Sequence, residues 1–394
     1  MADKPRFEGE KQSLEKRVEY VRGVTYKAAV DLHEELNDSS YVLLRANNIQ
    51  DGELRFDDVQ YVDRARVKPK QLLQRGDIVF CASSGSKGLV GKAALVRESK
   101  PVTFGAFCCV LRPKENEAEY LGHYFQSRQY RRAIEEVCSG SNINNLKAAN
   151  FLSLVVPHYD DDSTRAISAL FDSIDVQVKQ TKDQIADLDS LVKSRFVEMF
   201  LNSSWPIATI GECSTDIRYG TSEKASTEGE YVYLRMNNMG DDGSLDLSDT
   251  KRITLEGKAL SNCLVRKGDL LFNRTNSREK VGKTCVFCFD EAMVIAGYII
   301  RVRLDDRVDS TYLAAYMNLS STKALLRSMA KGAVHQANIN AKQLASVEFP
   351  LPDIETQKEF VSFVAQVDKS RFIAQQQIDK LQILYDSLAQ EYFA

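Results

Sequence analysis

The chain has 394 residues, 43% of them hydrophobic, with 8 Pro and 20 Gly, which excludes a collagen-like or Pro/Gly-rich disordered polymer. Its length favours two or three domains, and a net charge of −3 does not by itself indicate a nucleic-acid binder. Eight cysteines are too few for a disulfide scaffold, so we expect reduced thiols and a cytoplasmic protein. The charged N-terminus and the lack of a long apolar run predict neither a secretory signal nor a membrane span.

In chain order, the first predicted elements are short strands separated by Gly, Asn and Asp, followed by a helical segment. The same series then returns after about 191 residues, which is too long a period for a solenoid. Each copy is therefore predicted to be a mainly β domain with one or two helices. The matching segments are 41–49 with 231–239, 73–80 with 265–272, 90–92 with 281–283, and 120–124 with 312–316. The predicted strands are 41–44, 77–80, 108–111, 232–234, 269–272 and 299–302, and the helical segments are 120–138 and 312–329.

Each copy ends in a predicted long helix with coiled-coil spacing and an excess of acidic side chains. Alternating steps of four and three residues over four to five heptads favour a supercoiled helix pair. An antiparallel register in which paired numbers sum to about 555 places Arg195 near Glu359, and a register shifted by one heptad would also seat most of the core layers. The first series is Ile167, Phe171, Ile174, Val178, Thr181, Ile185, Leu188, Val192, Arg195 and Met199. The second is Phe360, Val364, Val367, Arg371, Ala374, Ile378, Leu381, Tyr385, Leu388 and Tyr392.

No catalytic, metal or cofactor motif is complete. Residues 282–284 resemble the end of a phosphate-binding loop, but its first glycine would be Ser277. Cys285 and Cys288 form a lone CxxC in a predicted strand, so their side chains are expected on opposite faces. The acidic residues at 353–355 suit a helix N-terminus better than a nuclease site. We expect no catalytic residue, no bound metal and no cofactor.

Polar loops at equivalent places in the two copies are candidates for DNA contact, since Arg, Asn, Ser and Lys contact base edges and phosphates. A solvated hairpin loop is an equally simple interpretation of each. Basic runs at 64–70 and 128–132 also suit phosphates, although such runs are commonly just soluble surface. The first-copy candidates are Arg45, Asn47, Ser83, Ser84, Ser86, Lys87 and Lys92. The second-copy candidates are Arg235, Asn237, Asn273, Arg274, Asn276, Arg278, Lys280 and Lys283.

The order of domain, long helix, domain, long helix resembles the specificity subunits of type I restriction–modification systems. The strings that carry the resemblance cover nearly the whole chain. They are RGVTYK at 22–27, LRANNI at 44–49, GDIV at 76–79, LVKSRFVEMF at 191–200, WPIATIG at 205–211 and GDLLFNRT at 268–275. The first domain lacks the opening found at 205–211, and the second helix lacks an equivalent of Lys193–Phe196.

This resemblance implies an α+β fold: two target recognition domains, each followed by a long helix, with the helices forming an antiparallel coiled coil of pseudo-twofold symmetry. The implied boundaries are 1–157 and 202–352 for the domains, and 158–201 and 353–394 for the helices. The helix residues expected to form the coiled coil or to bind partners are Ile174, Val178, Leu188, Val192, Arg195, Phe196, Val367, Ile378, Leu381 and Leu388.

The resemblance also implies function. Each domain would read one half of a bipartite, asymmetric site in double-stranded DNA, and the chain itself would not be catalytic. Two methyltransferase subunits would dock on the helices, and restriction (translocase) subunits would join them. Two alternatives remain: the recognition subunit of a restriction enzyme with fused nuclease and methyltransferase, and a coiled-coil scaffold whose β domains bind protein.

Overall fold

The computed structural model describes residues 9–84, 87–139, 146–333 and 336–394. It divides into two compact units: unit 1 comprises Met1–Thr181 and Gln376–Ala394, and unit 2 comprises Lys182–Gln375. Within these described ranges, no helix combines the length and apolar character that crossing a bilayer requires.

Unit 1 contains strands β1 to β12, helices α1 to α4 and the first part of helix α5. The strands are β1 (Glu10–Ser13), β2 (Val18–Arg22), β3 (Leu32–His33), β4 (Ser40–Leu44), β5 (Ile49–Gln50), β6 (Glu53–Leu54), β7 (Gln60–Asp63), β8 (Ile78–Cys81), β9 (Ala93–Leu95), β10 (Val102–Phe104), β11 (Cys108–Pro113) and β12 (Val155–His158). The helices are α1 (Ala28–Asp31), α2 (Ala118–Gln126), α3 (Arg128–Ser139), α4 (Ala148–Leu152) and α5 (Asp161–Phe196).

Two four-stranded sheets form the body of unit 1. One is antiparallel in the order β2-β11-β8-β9, and the other has the order β10-β4-β7-β3 with β10 parallel to β4. A short antiparallel pair joins β1, at the start of the described chain, to β12, which directly precedes α5. Helix α2 packs its apolar side chains against the first sheet and α5, which gives this unit its main hydrophobic core.

Unit 2 repeats this series of elements. Its strands are β13 (Ile207–Thr209), β14 (Ser214–Tyr219), β15 (Tyr231–Leu234), β16 (Lys251–Ile253), β17 (Leu264–Val265), β18 (Leu270–Asn273), β19 (Thr275–Asn276), β20 (Thr284–Val286), β21 (Met293–Ile295), β22 (Ile299–Leu304), β23 (Lys331–Ala333), β24 (Gln336–Asn338) and β25 (Glu348–Pro350). Its helices are α6 (Gly257–Cys263), α7 (Ser310–Met317), α8 (Ser320–Met329), α9 (Ala341–Ala345) and the first part of α10 (Ile354–Phe393), and a π-helical turn (Val197–Leu201) follows α5.

The antiparallel sheet of unit 2 has the same plan as that of unit 1, whereas the second sheets share three strands and differ in the fourth: β3 pairs with β7 in unit 1, and β17 pairs with β21 in unit 2. The order β14-β22-β18-β20 is again antiparallel, and β16-β15-β21-β17 again contains one parallel pair, β15 with β21. A three-stranded sheet, β19-β24-β23, extends from the end of β18. The predicted repeat is thus confirmed for the antiparallel sheet and for three strands of the second sheet, and each predicted strand falls within one or two residues of an observed one.

The heptad positions of both long helices are buried or half-buried throughout the two predicted series. In unit 1, Phe171 of α5 packs on α10, with ring centroids 4.8 Å from Tyr385 and 5.1 Å from Phe393. In unit 2, Phe196 lies 5.3 Å from Phe360. Two ion pairs join the same helices in unit 2: Arg371 with Asp189, and Arg195 with Glu359 at 3.8 Å. The predicted proximity of Arg195 to Glu359 is confirmed.

Candidate nucleic-acid interface

The polar loop of unit 2 leaves the main sheet at the end of β18. Thr275 and Asn276 form β19 and pair with Asn338 and Ala337 of β24. Arg274, just before β19, is held on three sides: its backbone N–H donates to the Tyr298 carbonyl at 2.9 Å and its guanidinium donates to Asn338 Oδ1 at 2.9 Å. The same guanidinium lies 4.8 Å from the centre of the Tyr219 ring. The loop therefore presents side chains from a fixed frame.

Other candidates in this unit differ in their surroundings. Arg278 and Lys280 are exposed, and neither takes part in the ion pairs of the described residues. Lys283 is paired with Asp241 at 2.9 Å and donates to the Met239 carbonyl. Asn273 has no exposed surface, because it lies in the central sheet as the last residue of β18. The prediction that Asn273 contacts DNA is therefore wrong.

The equivalent loop of unit 1 lies between β8 and β9. Ser83 is half-buried, and its N–H donates to the Phe107 carbonyl at 3.2 Å; Ser84 is also half-buried. Lys87 opens a short 3-10 turn, and Lys92 is half-buried just before β9. Ser86 and the side chain of Lys87 lie outside the described residues.

The repeated Arg-x-Asn-Asn string forms the same turn in both units. Asn48 and Asn238 are buried, and each accepts a hydrogen bond at 2.8 Å from the backbone N–H of the arginine three residues earlier. Arg45 pairs with Asp58 at 3.0 Å, while Asn47 is exposed.

In unit 2, Arg235 makes the corresponding ion pair with Asp249 at 2.9 Å, and Asn237 is exposed. The turn is thus first of all structural in both units. Asn47 and Asn237 are exposed beside this turn, and the Asn47 side-chain amide donates to the Asp58 carboxylate at 2.8 Å.

Two lysines and the Gly282 carbonyl form a further cluster in unit 2. Lys323 of α8 donates to the Gly282 carbonyl at 2.5 Å, and burial lowers the pKa of this lysine to about 8. The charged Lys283 nearby adds to that lowering. Lys323 was not among the sequence candidates, because its burial depends on contacts about forty residues away.

The buried thiols do not favour covalent chemistry. Burial raises the pKa of Cys108 in unit 1 and of Cys285 in unit 2, which keeps both thiols protonated and poorly nucleophilic. Cys285 is buried in β20, whereas Cys288 is exposed beyond the end of that strand, so the predicted strand does not extend to Cys288.

Among the described residues of unit 1, His123 lies against two carboxylates. His123 is buried, with Nε2 3.1 Å from Asp172 and Nδ1 3.7 Å from Asp175. Each ring nitrogen faces a different carboxylate, and the Tyr385 hydroxyl lies 3.3 Å from Nδ1. The His123 imidazole is therefore paired with carboxylates where α2 contacts α5.

The helix candidates face inward. Ile174, Phe196, Val367 and Leu381 are buried, and the rest of the set is half-buried: Val178, Leu188, Val192, Arg195, Ile378 and Leu388. The apolar side chains that α5, the π-turn and α10 leave exposed are instead Val176, Leu191, Val197, Leu201, Phe372, Ile373, Ile383 and Leu384. Sequence reasoning missed these residues because it followed the heptad positions, which are the buried ones.

Two copies of one mainly β domain, with chemically different polar loops at the same place and a long helix after each, define a modular recognition protein. The family description "Type I restriction modification DNA specificity domain" matches residues 207–382. Residues 207–382 thus match this domain family, and the chain as a whole is similar to type I restriction–modification specificity subunits.

Similar proteins agree over most of the chain. The type I restriction enzyme StySPI specificity subunit of Salmonella potsdam is 28% identical over 95% of this chain and 85% of that protein. The EcoKI specificity subunit of Escherichia coli strain K12 has the same identity and coverage. A chain solved in work on complex assembly and conformational transition of a type I R-M system matches with a TM-score of 0.54 and 18% identity. That match covers 95% of this chain and 97% of the other, and it supports the fold.

Proposed function

We propose that this chain selects the DNA target of a type I restriction–modification complex, each domain contacting one half of a bipartite, asymmetric site. The observation that carries the proposal is the duplicated sheet plan with dissimilar polar loops at the end of β8 and β18. A shared frame places both loops alike on DNA, and different side chains read different bases.

The proposed contact residues are the sequence candidates other than the buried Asn273; of these, Ser86 and the Lys87 side chain lie outside the described residues. Arg278 and Lys280 are the strongest for phosphate contact, because both are exposed cations outside the described ion pairs. The remaining proposed residues are Arg45, Asn47, Ser83, Ser84, Ser86, Lys87, Lys92, Arg235, Asn237, Arg274, Asn276 and Lys283.

The two long helices are proposed to form an antiparallel coiled coil with pseudo-twofold symmetry that spaces two domains, 1–157 and 202–352. The helical regions are then 158–201 and 353–394. Support comes from the buried heptad positions and from the Arg195–Glu359 and Phe171–Tyr385 contacts. A rigid spacer gives a bipartite site a fixed separation between its halves.

The partners are proposed to be two methyltransferase subunits docked on the helices, with restriction (translocase) subunits added to that core. Exposed apolar side chains such as Phe372 and Ile383, on helices with an acidic excess, suit a protein partner better than DNA. The chain itself is proposed to be non-catalytic and to hold no cofactor.

Methylome sequencing tests this proposal. The chain is expressed together with the methyltransferase encoded beside it in a host without background methylation. We expect modified adenine at one bipartite, asymmetric sequence, and no modification when the chain is omitted. Modification at a continuous site, or modification independent of the chain, would overturn the proposal.

A further inference from the structure

An exposed aromatic ring lies at the same place in both domains, beside the polar loop. Phe107 lies in the turn between β10 and β11, and its side chain is 69% exposed. Tyr298 lies in the turn between β21 and β22, and it is 51% exposed. The Phe107 carbonyl accepts hydrogen bonds from Ala82 and Ser83, and the Tyr298 carbonyl accepts one from Arg274.

Backbone contacts fix both turns. In unit 1, Cys108 N–H closes the turn on the Gly105 carbonyl at 2.8 Å, and the neighbouring Val24 N–H donates to the Phe104 carbonyl at 2.8 Å. In unit 2, Ile299 N–H closes on Ala296 at 2.8 Å. Both rings therefore lie on turns whose backbone is fixed by hydrogen bonds.

A glycine supports each turn from behind. A Cβ on Gly23 would lie 2.1 Å from the Gly105 carbonyl oxygen, and a Cβ on Gly220 would lie 2.2 Å from the Ala296 carbonyl oxygen. Only glycine permits so close a crossing of two backbones. In both copies, a glycine is therefore required behind the turn that carries the aromatic ring.

We propose that Phe107 and Tyr298 contact DNA, each ring packing on the bases of the half-site bound by its own domain. This inference rests on the proposed function. The polar side chains beside the turns differ between the copies, whereas an aromatic ring is common to both. A ring suits that role because an apolar side chain can pack on base edges such as the thymine methyl group, or wedge between base steps of a duplex. A ring held outward before binding also loses little side-chain freedom on contact.

The test compares Phe107→Ala, Tyr298→Ala and Tyr298→Phe in the complete complex with its methyltransferase subunits. The probe is the duplex that the wild-type complex methylates. We expect each alanine variant to weaken DNA binding about 5- to 150-fold. The slope of log K against log salt concentration should be unchanged, because no phosphate contact is lost. Tyr298→Phe should retain wild-type binding.

Methylation patterns assign each ring to its half-site. Phe107→Ala should relax selection only in the half-site of the first domain, and Tyr298→Ala only in that of the second. The matched controls are Val155→Ala and Ile207→Ala, which shorten side chains that are 55% and 62% exposed in the same two units. Both controls should bind and methylate as the wild type does.

Wild-type affinity in both alanine variants would overturn the inference. So would a loss of complex assembly measured without DNA, because the rings would then contact a protein partner. Neither result would affect the proposed function, which fails only if the wild-type complex does not methylate a bipartite site.

Discussion

Asp77 and Asp269 show how one residue can organise each domain. Each follows a glycine in the left-handed region, and each carboxylate accepts the backbone N–H three residues earlier. Asp77 also pairs with Arg112 at 2.7 Å, and Asp269 pairs with Arg303 at 2.9 Å. The Gly-Asp string therefore joins a turn to the neighbouring strand in both copies.

Replacing Asp77 by Asn should lower the free energy of unfolding by about 1.5–3 kcal/mol, since it removes the charge of a fully buried carboxylate that pairs with the half-buried Arg112. Denaturant unfolding followed by circular dichroism measures this change. The control is Asp290→Asn, which removes the exposed partner of Lys267 and should cost less than about 1 kcal/mol. Equal losses in both variants would contradict the buried-pair explanation.

For single residues, the sequence shows which ones are repeated but not what each of them does in the structure. The Arg-x-Asn-Asn repeat supplies DNA-contact candidates at its first and third positions, whereas its last residues, Asn48 and Asn238, are buried turn residues. Arg45 is paired with an aspartate thirteen residues away, which local spacing does not indicate. Phe107 and Tyr298 escaped notice although the aligned repeat places both between two apolar strands. Nothing in a strand pattern tells which turn residue faces solvent.

The two long helices begin in the same way. Asp160 accepts the N–H of Ser163 at 2.8 Å, and Asp353 accepts the N–H of Thr356 at 2.9 Å. These hydrogen bonds lower the pKa of both carboxyls below the ordinary value of 3.8. The predicted capping role of the acidic residues at 353–355 is confirmed for Asp353.

Stability should therefore fall with acid in a way that depends on these caps. A carboxyl whose pKa is lower in the folded state stabilises fully above its unfolded pKa of 3.8 and loses that effect as pH falls through the folded pKa. Asp353→Asn keeps a capping side chain without a titrating group. We expect its denaturation midpoint to fall less between pH 6 and pH 3 than that of the wild type.

The control for the cap is Asp187→Asn, which removes an exposed carboxyl from the interior of α5. It should keep the acid dependence of the wild type. An identical pH profile for the Asp353 variant and the wild type would contradict a contribution from this cap.

At the scale of elements, strands and long helices followed from periodicity, because alternation and heptads reflect which face is buried. The π-helical turn Val197–Leu201 could not be predicted in this way, because the sequence continues the helical pattern through Phe200. Here both Phe196 and Phe200 pack on Tyr312, at 5.2 and 4.8 Å. That arrangement depends on a ring more than a hundred residues away.

For the whole molecule, the duplicated plan predicts exchangeable halves. Replacing residues 205–350 with the matching domain of a related subunit should change one half of the methylated sequence and leave the other intact. Methylome sequencing of the hybrid complex reports both halves at once. A simultaneous change in both half-sites would contradict the assignment of one domain to one half-site.

The proposed coiled coil predicts a spacing rule. One heptad added to both helices lengthens each by about 10.5 Å, which corresponds to about three base pairs of DNA. Over three base pairs, the DNA groove turns by roughly a third of a revolution. The supercoil turns far less over this length. We expect this variant to lose most methylation on every spacer.

Three added heptads give about 31.5 Å, close to a full DNA turn. This variant should recover activity on a spacer about nine or ten base pairs longer. Methylation of a library of spacer lengths measures both variants. Full activity of both on the original spacer would contradict a role for the helices in setting the separation.

Unit 1 is built from two separate parts of the chain, so the ribosome makes its second part only after unit 2. Residues 376–394 supply Tyr385, Tyr392 and Phe393 to its aromatic core, yet the ribosome makes all of unit 2 before them. At about 5–20 residues per second, the 194 residues of Lys182–Gln375 impose a delay of roughly 10–40 s. During that interval Tyr120, Tyr124 and Phe171 lack the side chains that cover them, so the nascent first unit needs protection from aggregation. Nascent chains stalled after residue 375 should therefore be cut by protease within unit 1 faster than completed chains. Equal protection would show that unit 1 closes without its final segment.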